Sequence, residues 1–397
     1  MRNSLKTLSD LDGLPLEQKR QLGLVYTPSE IAQQPETWRM TLSIFKQQHE
    51  RIRNFLEEVG VKQSRERQPF VVLVGAGSSD YIGRGLLSLL RRKWCCDVAV
   101  CASTDLISNL DDFVLPDRPY LFVSFSRSGD SPEGVAVIEH SIQRYPQIAH
   151  LVITCNSKGR MATMCAGAKN SCVVLLDDAV NDRSLAMTSS FTNMLVMGQC
   201  LAHTWSVSEY TGIMDRLACS GSDFLLRAAV EAERAASLRF PRVCLVGDGS
   251  LLGVATESAL KILEMTAGGV KTMSESVLGL RHGPMAALDA QTLLICFVSQ
   301  DQRRSRYAHD LLHEIAEKKI VGHCVAVGPA SQGVAMTHYC DSYLSLPDDI
   351  EDAYRPVLDV IFGQLLGLYS SMAYGLKPDA PSPGGVISRV VKKFRIY

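Results

Sequence analysis

The chain carries almost no net charge, with 41 lysines and arginines against 42 aspartates and glutamates. Nothing in that balance calls for nucleic acid or an anionic membrane, so the expected partner is a small molecule. Among its 12 cysteines there is no Cys-x-x-Cys; they stand singly, or adjacent at Cys95-Cys96, mostly in apolar segments such as VCLV and LLICFV. This usage excludes a disulfide framework and points to a reducing compartment, with thiols as small core residues. The opening MRNSLKTLSDLDG lacks the apolar core of a signal peptide, and the long apolar run near the C-terminus is broken by Asp359 and Gln364. A cytoplasmic location is expected, with no membrane span. No G-x-x-x-x-G-K-[ST] loop is present, which argues against nucleoside triphosphates as ligands.

What is present is organised as a duplication. A chain of 397 residues is too long for one ordinary core and predicts two or three domains. Thr27-Pro28-Ser29-Glu30 has the form of a capping box that starts a short helix. Trp38, Leu42, Phe45, Ile52, Phe55 and Val59 then keep helical spacing, with His49 read as a structural member of the same stripe. From Phe70 the texture changes to short apolar runs separated by helical stretches: FVVLV, DVAVC, YLFVSF, HLVITC and CVVLL. Runs without alternation predict strands buried on both faces of a parallel sheet. The texture then restarts: VVLVGAGS at 71–78 matches VCLVGDGS at 243–250, and at the same offset LFVSF meets LLICF and LVITC meets HCVAV. Three strands in one register predict an internal repeat. The expected architecture is α/β: a helical arm at 1–60, similar domains at 61–215 and 220–375 with mainly parallel sheets flanked by helices, and a tail at 376–397.

The stretch 257–284, ESALKILEMTAGGVKTMSESVLGLRHGP, is the expected seat of the chemistry. On a helix Glu257, Lys261 and Glu264 fall within about 60° of one another, opposite Ala255, Ala259, Ile262 and Leu263. One face should be buried and the other should offer ionisable groups. Gly268-Gly269 should end the helix, and a turn-rich segment then delivers His282 on a loop between Arg281 and Gly283-Pro284. In the first copy Gly75-Ala76-Gly77-Ser78-Ser79 follows a strand, where glycine lets a backbone approach a phosphate. Asp80 in place of a third glycine, and Cys101 where a ribose-binding acid would stand, exclude a dinucleotide fingerprint.

Ser126-Arg127-Ser128-Gly129-Asp130-Ser131-Pro132 also ends a strand, with Ser131 at the N-cap and Pro132 opening a helix. Hydroxyls, free amides and a helix dipole together suit a phosphate dianion, and Asn156 after the next strand can close the cradle. At the equivalent place the second copy reads Val298-Ser299-Gln300-Asp301. His309 and His313 have the spacing of a zinc pair but lack a third ligand, so no metal is expected. Arg303-Arg304-Ser305-Arg306 reads as a solvated helix start.

These motifs resemble the SIS (sugar isomerase) family of phosphosugar-binding domains. Two such domains in tandem, with E-x-x-x-K-x-x-E and R/K-H-G-P, are similar to the isomerase half of glucosamine-6-phosphate synthase, without its glutaminase half. Over nearly the whole chain the resemblance is to the AgaS family of amino-sugar catabolism, described as galactosamine-6-phosphate deaminases and formerly as tagatose-6-phosphate ketose/aldose isomerases. It is carried by GAGSSDYIG, SFSRSGDSPE, ITCN, NDRSLAMTSS, ESALKILEMTAG, RHGP and DAPSPGGVISRVV.

The resemblance implies phosphate ligands at Ser79, Ser126, Ser128 and Ser131, a proton-transfer base at Glu264, a ring-opening residue at His282, and Glu257 and Lys261 as tuning neighbours. Gly77, Ser78, Arg127, Gly129, Asn156 and, in the tail, Arg389 complete the candidate set. His282 follows a long Gly-Gly-broken connection and is expected on a segment free to leave its own domain; the resemblance implies a homodimer with shared sites, each taking His282 from the opposite chain. The expected reaction converts galactosamine 6-phosphate to tagatose 6-phosphate and ammonia without a cofactor. Plain aldose-ketose isomerisation, glucosamine 6-phosphate deamination and non-catalytic phosphosugar sensing are the alternatives.

Overall fold

The computed structural model describes residues 7–392 and 394–397. It contains two five-stranded sheets, all of whose pairings are parallel. The first is built from β1 (Phe70–Gly75), β2 (Val98–Ala102), β3 (Tyr120–Ser126), β4 (Ile148–Thr154) and β5 (Ser171–Leu175), in the order β2-β1-β3-β4-β5. The second comprises β6 (Arg242–Val246), β7 (Lys271–Glu275), β8 (Thr292–Phe297), β9 (His323–Pro329) and β10 (Ser342–Leu346), in the order β10-β9-β8-β6-β7. Read from its β7 end, the second order repeats the first. The matched strands β1 and β6, β3 and β8, β4 and β9 thus occupy equivalent places, which bears out the repeat. In both sheets the order reverses at the first and third strands, leaving a crevice outside their carboxyl ends where α/β sheets place ligands.

All five expected strands of the first sheet form. Central β3 and β4 are buried along their whole length, as strands covered on both faces must be. The core on one side gathers Val72, Val74, Leu106, Leu110, Phe122 and Val137. In the second unit Cys244, Cys296 and Cys324 lie in the core, the small-residue use of thiol expected for them. Each copy also brings two helices into close approach. A Cβ on Gly198 would lie 2.1 Å from Leu86 Cδ1, and one on Gly363 would lie 2.1 Å from Ser258 Oγ.

Two readings are corrected. Lys271–Glu275, taken as turn, is β7: it is an edge strand paired only to β6, so its face need not be apolar. The helix Thr27–Ala32 forms, but Thr27 is not its cap. Asp379 receives the amides of Val25 and Thr27 at 2.7 and 2.8 Å and the Thr27 hydroxyl at 2.7 Å. Glu30 instead accepts the Ser184 hydroxyl at 2.5 Å. The described residues fall into two compact units. One holds 36–182, 189–215, 387–392 and 394–397; the other holds 7–35, 183–188 and 216–386. The helix Gln34–Glu58 buries Trp38, Phe45 and Ile52, and a ring nitrogen of His49 lies 2.7 Å from the Thr204 carbonyl.

The helix Pro356–Ala373 is apolar and long enough to cross a membrane, yet it is buried within its unit. Arg355 and Asp359, both without solvent exposure, pair at its start at 2.6 Å.

On β4, His150 is buried edge-on to Phe122, and neither ring nitrogen has a hydrogen-bond partner. Burial pushes its imidazole down to about 4. Between an unfolded value of about 6.5 and that value, the unfolded chain binds a proton that the folded chain refuses. Stability is therefore full above about pH 6.5 and falls as the pH drops towards 4, by on the order of 3 kcal/mol from this group. His150→Leu should gain on the wild type by that amount between pH 7 and pH 4 in urea unfolding. An unchanged gap between the two proteins would show that His150 takes up its proton freely in the fold.

Candidate active site

In the first sheet the crevice between β1 and β3 is lined by the two serine-bearing loops. Gly77 has φ 56° and ψ −126°, a conformation open in practice only to glycine, and it turns the chain into the helix Ser78–Trp94. Ser78 and Ser79 are buried in that first turn. A Cβ on Gly75 would fall 2.3 Å from the Ser79 backbone, so the strand end must be glycine for the helix to start this close.

At the end of β3 the chain makes two side-chain turns. Ser126 Oγ accepts the Gly129 amide at 3.0 Å, and Ser128 Oγ accepts the Asp130 amide at 3.2 Å. Gly129 has φ 66° and packs so closely that a Cβ would lie 3.2 Å from both Thr154 Oγ1 and Gly159 Cα. Ser131 is the residue before the helix Pro132–Arg144, as expected, but its hydroxyl makes no capping bond to that helix.

The register of β3 on β4 sets Ser126 beside Thr154, which brings Asn156 to the loop. Asn156 Nδ2 donates to the Ser128 carbonyl at 2.8 Å, so the amide braces the loop from behind. Arg127 reaches the tail: its Nη2 donates to the Arg389 carbonyl at 2.7 Å. Arg389 in turn donates from Nε to the Asp182 carbonyl at 2.7 Å and from Nη2 to Asn181 Oδ1 at 2.6 Å. The tail is thereby fastened to the serine loop through arginine at both ends.

In the other unit the helix Ser250–Met265 carries Glu257, Lys261 and Glu264. Their side chains are 0, 1 and 26% exposed. The face expected to be open is therefore mostly interior, because the helix Pro356–Ala373 comes unusually near through Gly363 and Gly367. Leu263, expected in the core, is part-exposed instead. Lys261 Nζ lies 2.6 Å from Glu264 Oε2 and 3.4 Å from Glu257 Oε1. A buried ammonium requires such pairing, since desolvation alone would cost several kcal/mol. The arrangement leaves Glu264 as the one carboxylate of the three groups that reaches solvent.

His282 follows the short helical turn Gly279–Arg281 and is exposed, and its ring forms no hydrogen bond among the described residues. The segment that bears it is not loose, which corrects the expectation that it is free to leave its own domain. Val277 and Leu280 are buried in the core of the second sheet, Arg281 Nε donates to Glu314 Oε2 at 2.9 Å, and Gly283 turns the chain with φ 117°. The tip, His282-Gly283, is exposed.

His309 and His313 both set their rings 4.9 Å from Tyr339, which accounts for their spacing. Arg304, read as part of a solvated helix start, reaches the carboxylate of Asp352 at 3.4 Å. Sequence reasoning missed Asp352, Arg355 and Asp359 as a buried polar group. In the sequence Asp359 reads as a break in an apolar run, and its spacing of four from Arg355 is the available signal.

No family model matches the chain. Among curated proteins, an AgaS protein of Streptomyces coelicolor is 38% identical over 377 residues, covering 94% of this chain and 95% of that one. The D-galactosamine-6-phosphate deaminase AgaS of Escherichia coli O157:H7 is 33% identical over 384 residues, with the same coverage of each. Among solved structures, the tagatose-6-phosphate ketose/aldose isomerase of Escherichia coli superposes with a TM-score of 0.80 at 30% identity, covering 91% of this chain and 95% of that one. The C-terminal domain of glucosamine-fructose-6-phosphate aminotransferase from Francisella tularensis shares the fold, with a TM-score of 0.73 at 18% identity over 90% of this chain and 98% of that one. With two tandem sheets of one topology and this identity along nearly its whole length, the chain belongs to the AgaS family of tandem sugar-isomerase-domain proteins.

Proposed function

We propose that this protein deaminates galactosamine 6-phosphate, yielding tagatose 6-phosphate and ammonia. The observation that carries the reading is the Glu257-Lys261-Glu264 array, in which a buried ammonium holds one solvent-reaching carboxylate at 2.6 Å. A carboxylate so fixed suits a proton shuttle between adjacent carbons. The name of the Escherichia coli O157:H7 relative supports the substrate.

The phosphate is assigned to the loop after β3, with Ser79, Ser126, Ser128 and Ser131 as hydroxyl donors and Gly77, Ser78 and Gly129 giving close backbone approach. Arg127 and Asn156 hold that loop in shape, and Arg389 ties the tail to it. His282 assists ring opening to the C1 aldehyde. Glu264 takes the C2 proton and delivers it to C1, so the amino aldose passes through an enolamine to a 2-imine. Water adds at C2 and expels ammonia, leaving the ketose. Atoms balance with water as the only co-reactant, and the chemistry calls for no metal or organic cofactor. The assigned compartment is the cytoplasm.

A specific observation keeps plain isomerisation as the second reading: the 30%-identical Escherichia coli structure is called a ketose/aldose isomerase. Both reactions share the base and the phosphate site, but only deamination releases ammonia. Coupled ammonia detection with galactosamine and glucosamine 6-phosphates side by side separates them and sets the sugar preference.

Replacing Ser126 and Ser128 together with alanine should raise KM by about two orders of magnitude or more and leave kcat nearly unchanged. Each lost bond to a charged group is worth roughly 1.5 to 3 kcal/mol. An unaltered KM in the double variant would remove this loop from the phosphate site. Glu264→Gln should bind substrate normally yet lose on the order of 10²- to 10⁴-fold in kcat. If it still exchanged the C2 hydrogen with deuterated solvent at the wild-type rate, the base would be elsewhere.

The exposure of the His282 tip on an anchored segment supports a homodimer in which each site takes His282 from the opposite chain. Mixed His282→Ala and Glu264→Gln chains should then regain about a quarter of wild-type activity, since half the random dimers are hybrid and each hybrid has one intact site. Hybrids verified by differential tags that stay inactive would place both residues in the same chain's site.

A further inference from the structure

The second sheet repeats the crevice of the first, and the repeat extends to its backbone. Gly249 has φ 60° and ψ −125°, within a few degrees of Gly77, and likewise turns the chain into a helix with serine at its first position. A Cβ on Gly247 would lie 2.5 Å from the Leu251 carbonyl oxygen, the same close approach that Gly75 makes. At the end of β8, Asp301 N donates to Ser299 Oγ at 3.0 Å, a side-chain turn of the kind Ser128 forms after β3. The second crevice is therefore built like the first.

Its contents differ. The carboxylate of Asp352, from the loop after β10, accepts the Gln300 amide at 2.9 Å and the hydroxyl of Ser299. Arg304 Nη1 stands 3.4 Å from one of its oxygens and Arg355 Nη1 3.2 Å from the other. Ser250 Oγ, the counterpart of Ser78, holds the Asp352 carbonyl at 2.7 Å. Arg304 also lies over the glycine turn, with Nη1 3.5 Å from the place of a Gly249 Cβ. A backbone amide, a hydroxyl and two guanidinium groups converging on one anion are the donor set expected for an oxyanion ligand.

Two neighbouring acids are engaged elsewhere. Asp248 accepts the Val277 amide at 3.2 Å, and Asp359 holds the far side of Arg355 at 2.6 and 3.1 Å. The corresponding loop of the first unit, after β5, also supplies an acid, Asp182. That carboxylate is spent on the start of the helix Ser189–Ala202, accepting the Ser189 and Ser190 amides at 3.0 and 2.9 Å.

We propose that the second unit contains a second oxyanion cradle, suited to a phosphate or sulfate group, which the chain fills with its own Asp352 carboxylate. The wild-type chain accordingly holds one phosphate, in the first unit, and the second crevice gains rigidity in place of a ligand. The proposal stands apart from the catalytic reading, since it concerns neither Glu264 nor His282.

The test introduces Asp352→Ala into the Ser126→Ala/Ser128→Ala background, so that the first crevice does not report, and titrates inorganic phosphate at constant ionic strength. Calorimetry should find about one added phosphate per chain, bound at least about tenfold more tightly than by the parent, the worth of one charge-assisted hydrogen bond. Formate, which replaces the deleted carboxylate, should raise the Tm of the variant and leave the parent unmoved. A folded variant whose Tm and phosphate binding match the parent's overturns the proposal. If the variant is recovered unfolded, a refolding yield higher in phosphate than in chloride supports it, and equal yields overturn it.

Discussion

A lysine ammonium placed in a protein interior must be neutralised by its surroundings, and in this chain that requirement organises the helix Ser250–Met265. Lys261 is 1% exposed and lies between Glu257, one turn before it, and Glu264, one turn after. The helical period supplies both carboxylates on one side with no other element involved. Burial itself comes from Gly363 and Gly367, whose missing side chains let the helix Pro356–Ala373 lie against Ser258 and the Lys261 backbone. The result is polarised: one carboxylate is sealed in, one remains at the edge, and the cation fixes the latter within hydrogen-bond distance. The helix thus offers one carboxylate that is both held and reachable.

The sheet order imposes the second constraint. A parallel sheet whose chain runs to one side from its first strand and to the other from its third must leave a gap between the loops that follow them. Each copy lines that gap with a glycine turn and a side-chain-capped loop, so the frame is set before any ligand is considered. Divergence then needs few residues. Ser126, Ser128 and Ser131 present neutral hydroxyls in one copy; in the other, Arg304, Arg355 and Asp352 form a closed set of charges.

Much of this frame was legible because it rests on local pattern. Unbroken apolar runs marked β1 to β5, and the constant offset between VVLVGAGS and VCLVGDGS marked the repeat. The family and the positions of the candidate loops followed from short motifs. What escaped was set by partners distant in sequence. Asp379 caps a helix 352 residues away at Thr27, so a local capping box was the natural but mistaken inference. Lys271–Glu275 is a strand only because β6 offers it an edge, and its polar composition gives no sign of that. The passage of 7–35 and of 387–392 and 394–397 into units remote in sequence has no local signature at all.

The candidate site shows the same division in sharper form. Spacing alone places Glu257, Lys261 and Glu264 together, but it cannot say which of them meets solvent, since that depends on where the helix Pro356–Ala373 packs. Periodicity assigned Leu263 to the core and the charged face to water; the neighbour reversed both, because two glycines 105 and 106 positions downstream of Ser258 and Lys261 admit it so closely. The same logic explains Arg127. As a cation in a phosphate loop it reads as a ligand, yet its guanidinium holds a tail carbonyl 262 residues on. A charged residue beside an anion site has two uses, contacting the anion or fixing the loop that does. Besides Arg127, the donors on this loop are hydroxyls and amides, which carry no fixed positive charge.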